Sequence, residues 1–568
     1  MLGVAGESAA PDAARCTTNQ GQPLDRPAGA TLGFFMILLD TTIVNIAVPS
    51  MEKGLSASFD QILWILNAYI LVYAVLLITT GRLGDMLGPK RLFIVGLVLF
   101  TLSSAACGFA QSSTQLIIFR IIQGVGGAML TPQTLAVITS IFPPERRGAA
   151  FGVWGAVGGF AAVVGPTLGG FLVTTASWRA IFYINVPIGV IAVGAAILLM
   201  PEVQSHRRHE LDITGVALAS IGLFLGVFAL IESQRFNWGP IATFGSFSIG
   251  STRWSVISIY SLLVYSLVLL VTFVALERGK REPLLPLALF SDRNFSVANV
   301  VSASVSYAIL GVFLPLTIFL QSVLGFTAVH AGLTLIPMSA TSLFTAGFAG
   351  RLSDKINGKY ILMFGSTCFA LGMALVVRAL SLSDTSWDLT IPLVVSGLGM
   401  GCTFAPMVTL AMRDVRPQMA GSASGFLNTI RQVGQALGGA VGGAILGNAV
   451  ASNLVVQARA VAVHVPAAYR ARFLAGFEAA SRGGQRFGSG QTPAAHLPAG
   501  TPPQAARLIA HLFRQAFDQA FLNGMRPAML VAVGCLLAAG IAAGFMRGGR
   551  TAQAAQREVP AERRQAAS

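Results

Sequence analysis

Four ionisable residues interrupt runs of the chain that are otherwise apolar, and a charge in such a place either does work or must be paired. Asp40 interrupts LLDTTIVNIAVP, Arg120 opens RIIQGVGGAML, Arg431 falls in NTIRQVGQALGG and Glu232 lies near the start of IESQRFNWG. A carboxyl group taken into a low-dielectric pocket holds its proton up towards neutral pH, and a neighbouring cation reverses the effect. Asp40 with a movable Arg120 therefore has the chemistry of a proton switch whose state depends on conformation. A structural ion pair, or snorkelling to a helix end, accounts for the same residue types. Glu232 and Arg431 are candidates for a second coupling group or a cation contact. For Glu232 the competing reading is a solvated span end with Trp238 as interface anchor.

Two further patterns concern movement rather than protons. Residues 81–91 read GRLGDMLGPKR and residues 350–354 read GRLSD, each following an apolar run and preceding basic residues and another apolar run. A carboxylate is favoured at a helix N-terminus and also pairs with neighbouring basic residues. Gly81, Asp85, Gly88, Arg91 and Asp354 are thus candidates for a gate at one membrane face, with a simple helix cap as the bland alternative. Residues 152–170 read GVWGAVGGFAAVVGPTLGG. Proline inside a span frees a carbonyl and kinks the helix, while glycines permit close packing. Gly165, Pro166, Gly169 and Gly170 are read as a kink that bends during alternating access, against plain tight packing.

These residues need elements that cross lipid. Apolar residues make up 54% of the 568 and DEKR only 11%, against roughly 25% charged in a soluble domain, so a water-facing globule could not be covered. Apolar runs of about 20 residues recur instead, the length of a helical span. Spans are expected at roughly 29–51, 61–82, 91–110, 114–141, 148–174, 179–200, 211–232, 254–276, 295–321, 329–350, 359–380, 389–412, 420–450 and 526–546. The expected fold is all-α and polytopic, everything helix, because lipid forbids unpaired backbone. The two GRLxD turns are 269 residues apart, from 81 to 350. Six spans with short loops need only about 190–200 residues, so the surplus of about 70 matches two spans inserted between two six-helix bundles.

The expected organisation is a tail at 1–28, a first bundle at 29–200, two inserted spans and a linker at 201–290, a second bundle at 291–546 and a tail at 547–568. Lys and Arg gather in alternate loops, which puts the GRLxD turns and both termini in the cytoplasm of a cell (inner) membrane protein. The first span then serves as an uncleaved signal. Residues 451–525 form a long extracytoplasmic loop in which 505–522 reads as an amphipathic helix lying on the membrane, with a missed pair of spans as the alternative. The net charge of +15 is spread over these loops, so no nucleic-acid surface is expected. Five cysteines without repeated spacing argue for neither disulfides nor zinc, and His206 and His209 read as solvated. No phosphate-binding loop, no zinc-protease motif and no nucleophile–base pair is present, so no enzyme, cofactor or metal site is expected.

Together these motifs resemble the major facilitator superfamily, and within it the fourteen-span drug:proton antiporters of the QacA/EmrB type. The resemblance rests on LDTTIVNIAVP (39–49), GRLGDMLGPKR (81–91), RIIQGVGGA (120–128), GVWG…GPTLGG (152–170), WRAIFYINVPIG (178–189) and NTIRQVG (428–434). Met86 and Pro89 stand where basic residues are usual, and Ala161 where a glycine is usual. The resemblance implies a major facilitator fold of fourteen helices, a coupling role for Arg120 and export of amphipathic, often cationic compounds in exchange for protons. A proton-coupled or facilitated transporter of a small metabolite is the alternative. No residue argues for a periplasmic adaptor as partner.

Overall fold

The computed structural model describes residues 28–143, 147–202, 212–241, 246–249, 252–280, 282–382, 385, 387–482 and 502–547. Apart from Ala28 and Arg547, the two expected tails lie outside the described residues, as do Arg146, His206, Arg207, Arg208, His209 and Arg281.

The apolar runs form helices, as a solvent without hydrogen-bonding capacity demands. The first half holds α1 (Ala28–Leu55), α2 (Phe59–Leu87), α3 (Pro89–Phe109), α4 (Ser113–Ile141), α5 (Arg147–Thr175), α6 (Ala180–Tyr183) and α7 (Asn185–Leu199). Next come α8 (Ile213–Glu232) and α9 (Ile259–Glu277). The second half holds α10 (Arg293–Ile318), α11 (Ala328–Thr334), α12 (Ile336–Lys355), α13 (Gly358–Ala379), α14 (Thr390–Met412), α15 (Ala420–Ala462), α16 (Ala467–Arg482) and α17 (Pro503–Ala543). Ser58 begins α2 with a capping box closed by Gln61, and Ser112, Ser258 and Thr327 cap α4, α9 and α11 in the same sense. Between α2 and α3 the chain reverses at Gly88, whose φ of 93° suits glycine alone.

The short sequence repeat is a repeat of packing. In the first half α1 packs on α5 and α7, α2 on α4, and α3 on α4 and α7. In the second, α10 packs on α15 and α17, α12 on α14, and α13 on α14 and α17. The halves meet through α2 against α15 and α5 against α12, two contacts that exchange under the same correspondence. The inserted helices α8 and α9 pack on each other, and α8 lies along the α2–α15 seam.

Among the described residues, 12 helices are long and apolar enough to cross a membrane. The helices α5 and α12 fall outside that number although they sit inside the bundle. For α12 the reason is visible, since it is rich in Ser and Thr and ends with Arg351, Asp354 and Lys355.

One expectation is corrected, and one detail is added. The α8–α9 connection carries a short hairpin in which β1 (Ser246–Ile249) and β2 (Thr252–Ser255) pair antiparallel with Ser246 opposite Ser255. This connection lies between the spans, where lipid no longer forbids a sheet edge. Of the segment 451–525, the described residues 451–482 and 502–525 do not form a loop bearing a helix laid on the membrane. Residues 451–462 continue α15 and residues 503–525 open α17, helices of 43 and 41 residues. Each is about 60 Å long, twice the ~30 Å hydrocarbon layer, so both must project beyond it. The apolar face of 505–522 is buried against α15 and α16 rather than lipid. Phe477 and Phe513 have ring centroids 4.3 Å apart, and Leu454, Ala458, Phe473 and Phe517 close around them. Helix α16, with 16 residues, is no further span.

Phe477→Ala should therefore remove a side chain that is 1% exposed, at a cost of about 3–5 kcal/mol. A lower thermal midpoint of the purified protein with unchanged membrane insertion is the expected result, and an unchanged midpoint would contradict a packed projecting bundle.

Candidate functional site

Asp40 lies twelve residues into α1, about 18 Å from its start, and Arg120 seven residues into α4. They are 0% and 2% exposed. Arg120 Nη1 donates to Asp40 Oδ2 at 2.6 Å and to Gln123 Oε1 at 2.7 Å, and Nε donates to the Ile65 carbonyl at 3.3 Å. The guanidinium lies over the Tyr69 ring, 4.2 Å from its centroid, a cation–π contact. The other carboxylate oxygen, Asp40 Oδ1, accepts from Gln123 Nε2 at 3.0 Å and from Asn185 Nδ2 at 3.1 Å. Asn185 also donates to Ser104 Oγ, which donates to the Phe182 carbonyl. Five helices, α1, α2, α3, α4 and α7, thus converge on one neutral pair. The pair is sealed inside the first half, away from the seam between halves. A buried ion pair of this kind tolerates loss of both partners better than loss of one.

The gate candidates are brought together across the two halves. Asp85 ends α2 but does not cap the helix that follows it. Its Oδ1 accepts from the Gly421 amide at 2.7 Å, and its Oδ2 accepts from the Ser422 amide at 2.8 Å and the Ser422 hydroxyl at 2.7 Å. These groups form the N-terminus of α15. Asp354 at the end of α12 does the same to α5, accepting from the Gly148 and Ala149 amides at 2.8 Å each. Each half therefore supplies a carboxylate to the exposed amides and positive dipole end of a helix in the other. Gly81 is necessary because a Cβ there would strike the Gly421 carbonyl, and Gly350 because one would strike that of Gly148. Arg91 stands exposed on the first turn of α3 and takes no part in this contact.

Arg147 adds a link for which the motifs carried no signal. Its Nη1 donates to the Met412 and Arg413 carbonyls at 2.8 and 3.0 Å and its Nη2 to the Thr139 carbonyl at 2.8 Å. One guanidinium so joins the C-terminal ends of α4 and α14, one from each half. The residue in the same position before Gly421 is Ala420, so the second half lacks this link.

The kink candidates bear on α1 beside Asp40. A Cβ at Gly165 would strike Thr42 Oγ1, and one at Gly169 would come within 2.7 Å of Ile43 Cγ1. Gly170 faces Val329 of α11. Pro166 lies within α5, its side chain outside the described residues. Glu232 corrects the reading of a solvated span end. It is 4% exposed and its Oε2 is 3.4 Å from Arg235 Nη1. Arg235 in turn reaches Asp60 Oδ2 at 2.9 Å, tying α8 to the start of α2. Arg431 is half-buried on α15. A cleft of about 570 Å³ between Phe326, His330, Pro337 and Trp387 includes none of these residues.

Residues 30–439 match the Major Facilitator Superfamily. The chain belongs to that family. It is accordingly an integral membrane transporter of small molecules and not an enzyme. It is 35% identical over 424 residues to a probable actinorhodin transporter of Streptomyces coelicolor, covering 72% of this chain and 70% of that one. It is 33% identical over 413 residues to Multidrug resistance protein 3 of Bacillus subtilis, covering 72% and 77%. The crystal structure of the human organic anion transporter MFSD10 superposes with a TM-score of 0.54 at 13% identity, covering 91% of this chain and 100% of that one, a likeness of fold alone.

In this major facilitator protein Gln123, Asn185, Ser104 and Tyr69 belong to the charged cluster, although charge alone did not single them out. Gln123 was findable as the polar residue one turn after Arg120, and Asn185 as the polar residue inside an apolar run before Pro187. Asp40→Asn should destabilise the protein by about 3–5 kcal/mol because it strands Arg120. The double variant Asp40→Asn with Arg120→Gln should lose less than the two single losses combined. Thermal unfolding in detergent measures both, and simple additivity would show that the two side chains do not act as a unit.

Proposed function

We propose that the chain is a proton-coupled exporter of amphipathic small molecules, a drug:proton antiporter of the fourteen-span type working by alternating access. The observation that carries this reading is the Asp40–Arg120 pair, a buried carboxylate whose one charged partner among the described residues is a buried guanidinium. A proton arriving on Asp40 cancels its charge and leaves Arg120 with Gln123, the Ile65 carbonyl and the Tyr69 ring. The attraction that holds α1 to α4 falls accordingly. Helix α1 carries the change to α5 through Thr42 and Ile43, against which Gly165 and Gly169 are packed. Helix α5 begins at the amides that Asp354 holds. A path of direct contacts therefore leads from the protonation site to the gate.

The Lys and Arg distribution supports a cytoplasmic position for the Asp85 end. The reciprocal carboxylate contacts then close the cytoplasmic side, and the cavity between halves would receive protons from outside and substrate from inside in alternation. With α5 and α12 counted as spans, the 12 apolar helices become fourteen. Export as the direction of transport is supported by the relatives named for drug resistance and for an antibiotic. No cofactor is needed, since the proton gradient supplies the energy.

Asp40→Asn should abolish dye transport driven by an imposed pH gradient in everted vesicles while insertion stays normal, and Arg120→Ala should uncouple or abolish it. Asp85→Asn should slow transport several-fold without removing its dependence on the gradient. Full gradient-driven transport by Asp40→Asn, or wild-type transport that a protonophore leaves untouched, would defeat the proposal.

A further inference from the structure

Two arginines flank one pair of stacked tyrosines. Tyr69 and Tyr73 lie one turn apart on α2, with ring centroids 5.9 Å apart and planes inclined by 12°. Arg120 lies over Tyr69 and has Asp40 as its counter-ion. Arg431 approaches Tyr73 from α15. The Tyr73 hydroxyl donates its own proton to Thr131 Oγ1 at 3.0 Å and carries no charge to balance a neighbouring cation. No carboxylate among the described residues pairs with Arg431.

The position makes this unusual. Arg431 lies eleven residues into α15, about 16 Å from its start and near the middle of a ~30 Å hydrocarbon layer. Neither water boundary is within easy reach of its side chain. It is half-buried and stands on the α2–α15 seam. The same two helices are joined nearer their ends by Asp85 with Gly421 and Ser422. A guanidinium has five donors in a fixed fork that matches a carboxylate or sulfonate, and an intramembrane cation without a counter-ion is costly. Asp40 is meanwhile enclosed by Arg120, Gln123 and Asn185 of its own half.

We propose that Arg431 is the docking point for an acidic group of the substrate, so that the transported compounds are amphipathic acids: carboxylates, sulfonates or ionised phenols on an aromatic body. The substrate supplies the counter-ion that the protein withholds, and it binds where both halves can touch it. The cationic compounds implied by the family resemblance would find no free carboxylate at this place. The inference rests on the transport reading for what happens to the bound molecule, but binding is measurable without transport.

The test compares two xanthene dyes of one skeleton, fluorescein (anionic) and rhodamine 123 (cationic), by fluorescence polarisation with the full chain in lipid nanodiscs. Wild type should bind fluorescein more tightly. Arg431→Gln should weaken fluorescein about 10- to 100-fold, the worth of a charged hydrogen-bonded contact, and leave rhodamine 123 unweakened. Arg431→Lys keeps the charge and should retain most of the affinity, which separates docking from a structural role. Preference for rhodamine 123, fluorescein affinity that survives Arg431→Gln, or equal loss in the Gln and Lys variants would overturn the proposal. Arg431-dependent binding by a wild type that shows no gradient-driven export would count against the exporter reading and leave this one standing.

Discussion

Hydrocarbon offers an ion no solvation, and the Asp40–Arg120 pair is where this molecule meets that constraint most severely. Neither group could occupy its place alone. Together, with Gln123, Asn185 and Ser104 adding hydrogen bonds, they form a neutral polar knot that draws five helices to one point. The stability of the first half and the proton response proposed for it rest on the same pair.

The two halves obey the same constraint at their junction by different means. Exposed amides at the N-termini of α5 and α15 need acceptors, and each finds a carboxylate from the opposite half. A helix end capped from within its own half would leave the halves free of each other. Because the caps are exchanged, local hydrogen-bond satisfaction becomes a lock between bundles. Arg147 strengthens the lock on one side only, through carbonyls of α4 and α14. The asymmetry between halves therefore lies in the charged core and in this arginine. The reciprocal carboxylate contacts themselves are shared by both halves.

The projecting part of α15, α16 and α17 follows another rule. Outside lipid, apolar side chains need one another, and Phe473, Phe477, Phe513, Phe517 and Phe521 bury themselves in a helical bundle. Their amphipathic pattern was legible in the sequence, but amphipathicity reads the same whether the apolar face meets lipid or protein. Only the continuity of the 43- and 41-residue helices through both environments separates the two cases.

What the sequence determined by itself was whatever depends on local composition and spacing. Apolar run length dictates helices that cross lipid, the recurrence of GRLxD dictates two related halves, and the rarity of charge singles out Asp40, Arg120 and Arg431. These are properties of segments, and lipid acts on segments one at a time. What only the tertiary structure decided was partnership. Nothing near Asp85 in the chain says that its carboxylate meets the amide of Gly421, 336 residues on. Nothing in Glu232 says that it is buried beside Arg235 rather than solvated. The two mid-membrane arginines are alike in sequence context, and packing alone gives Arg120 an aspartate and Arg431 no carboxylate among the described residues. The physical reason is that an ion's free energy depends on what surrounds it in space, and those neighbours come from helices far away in the chain.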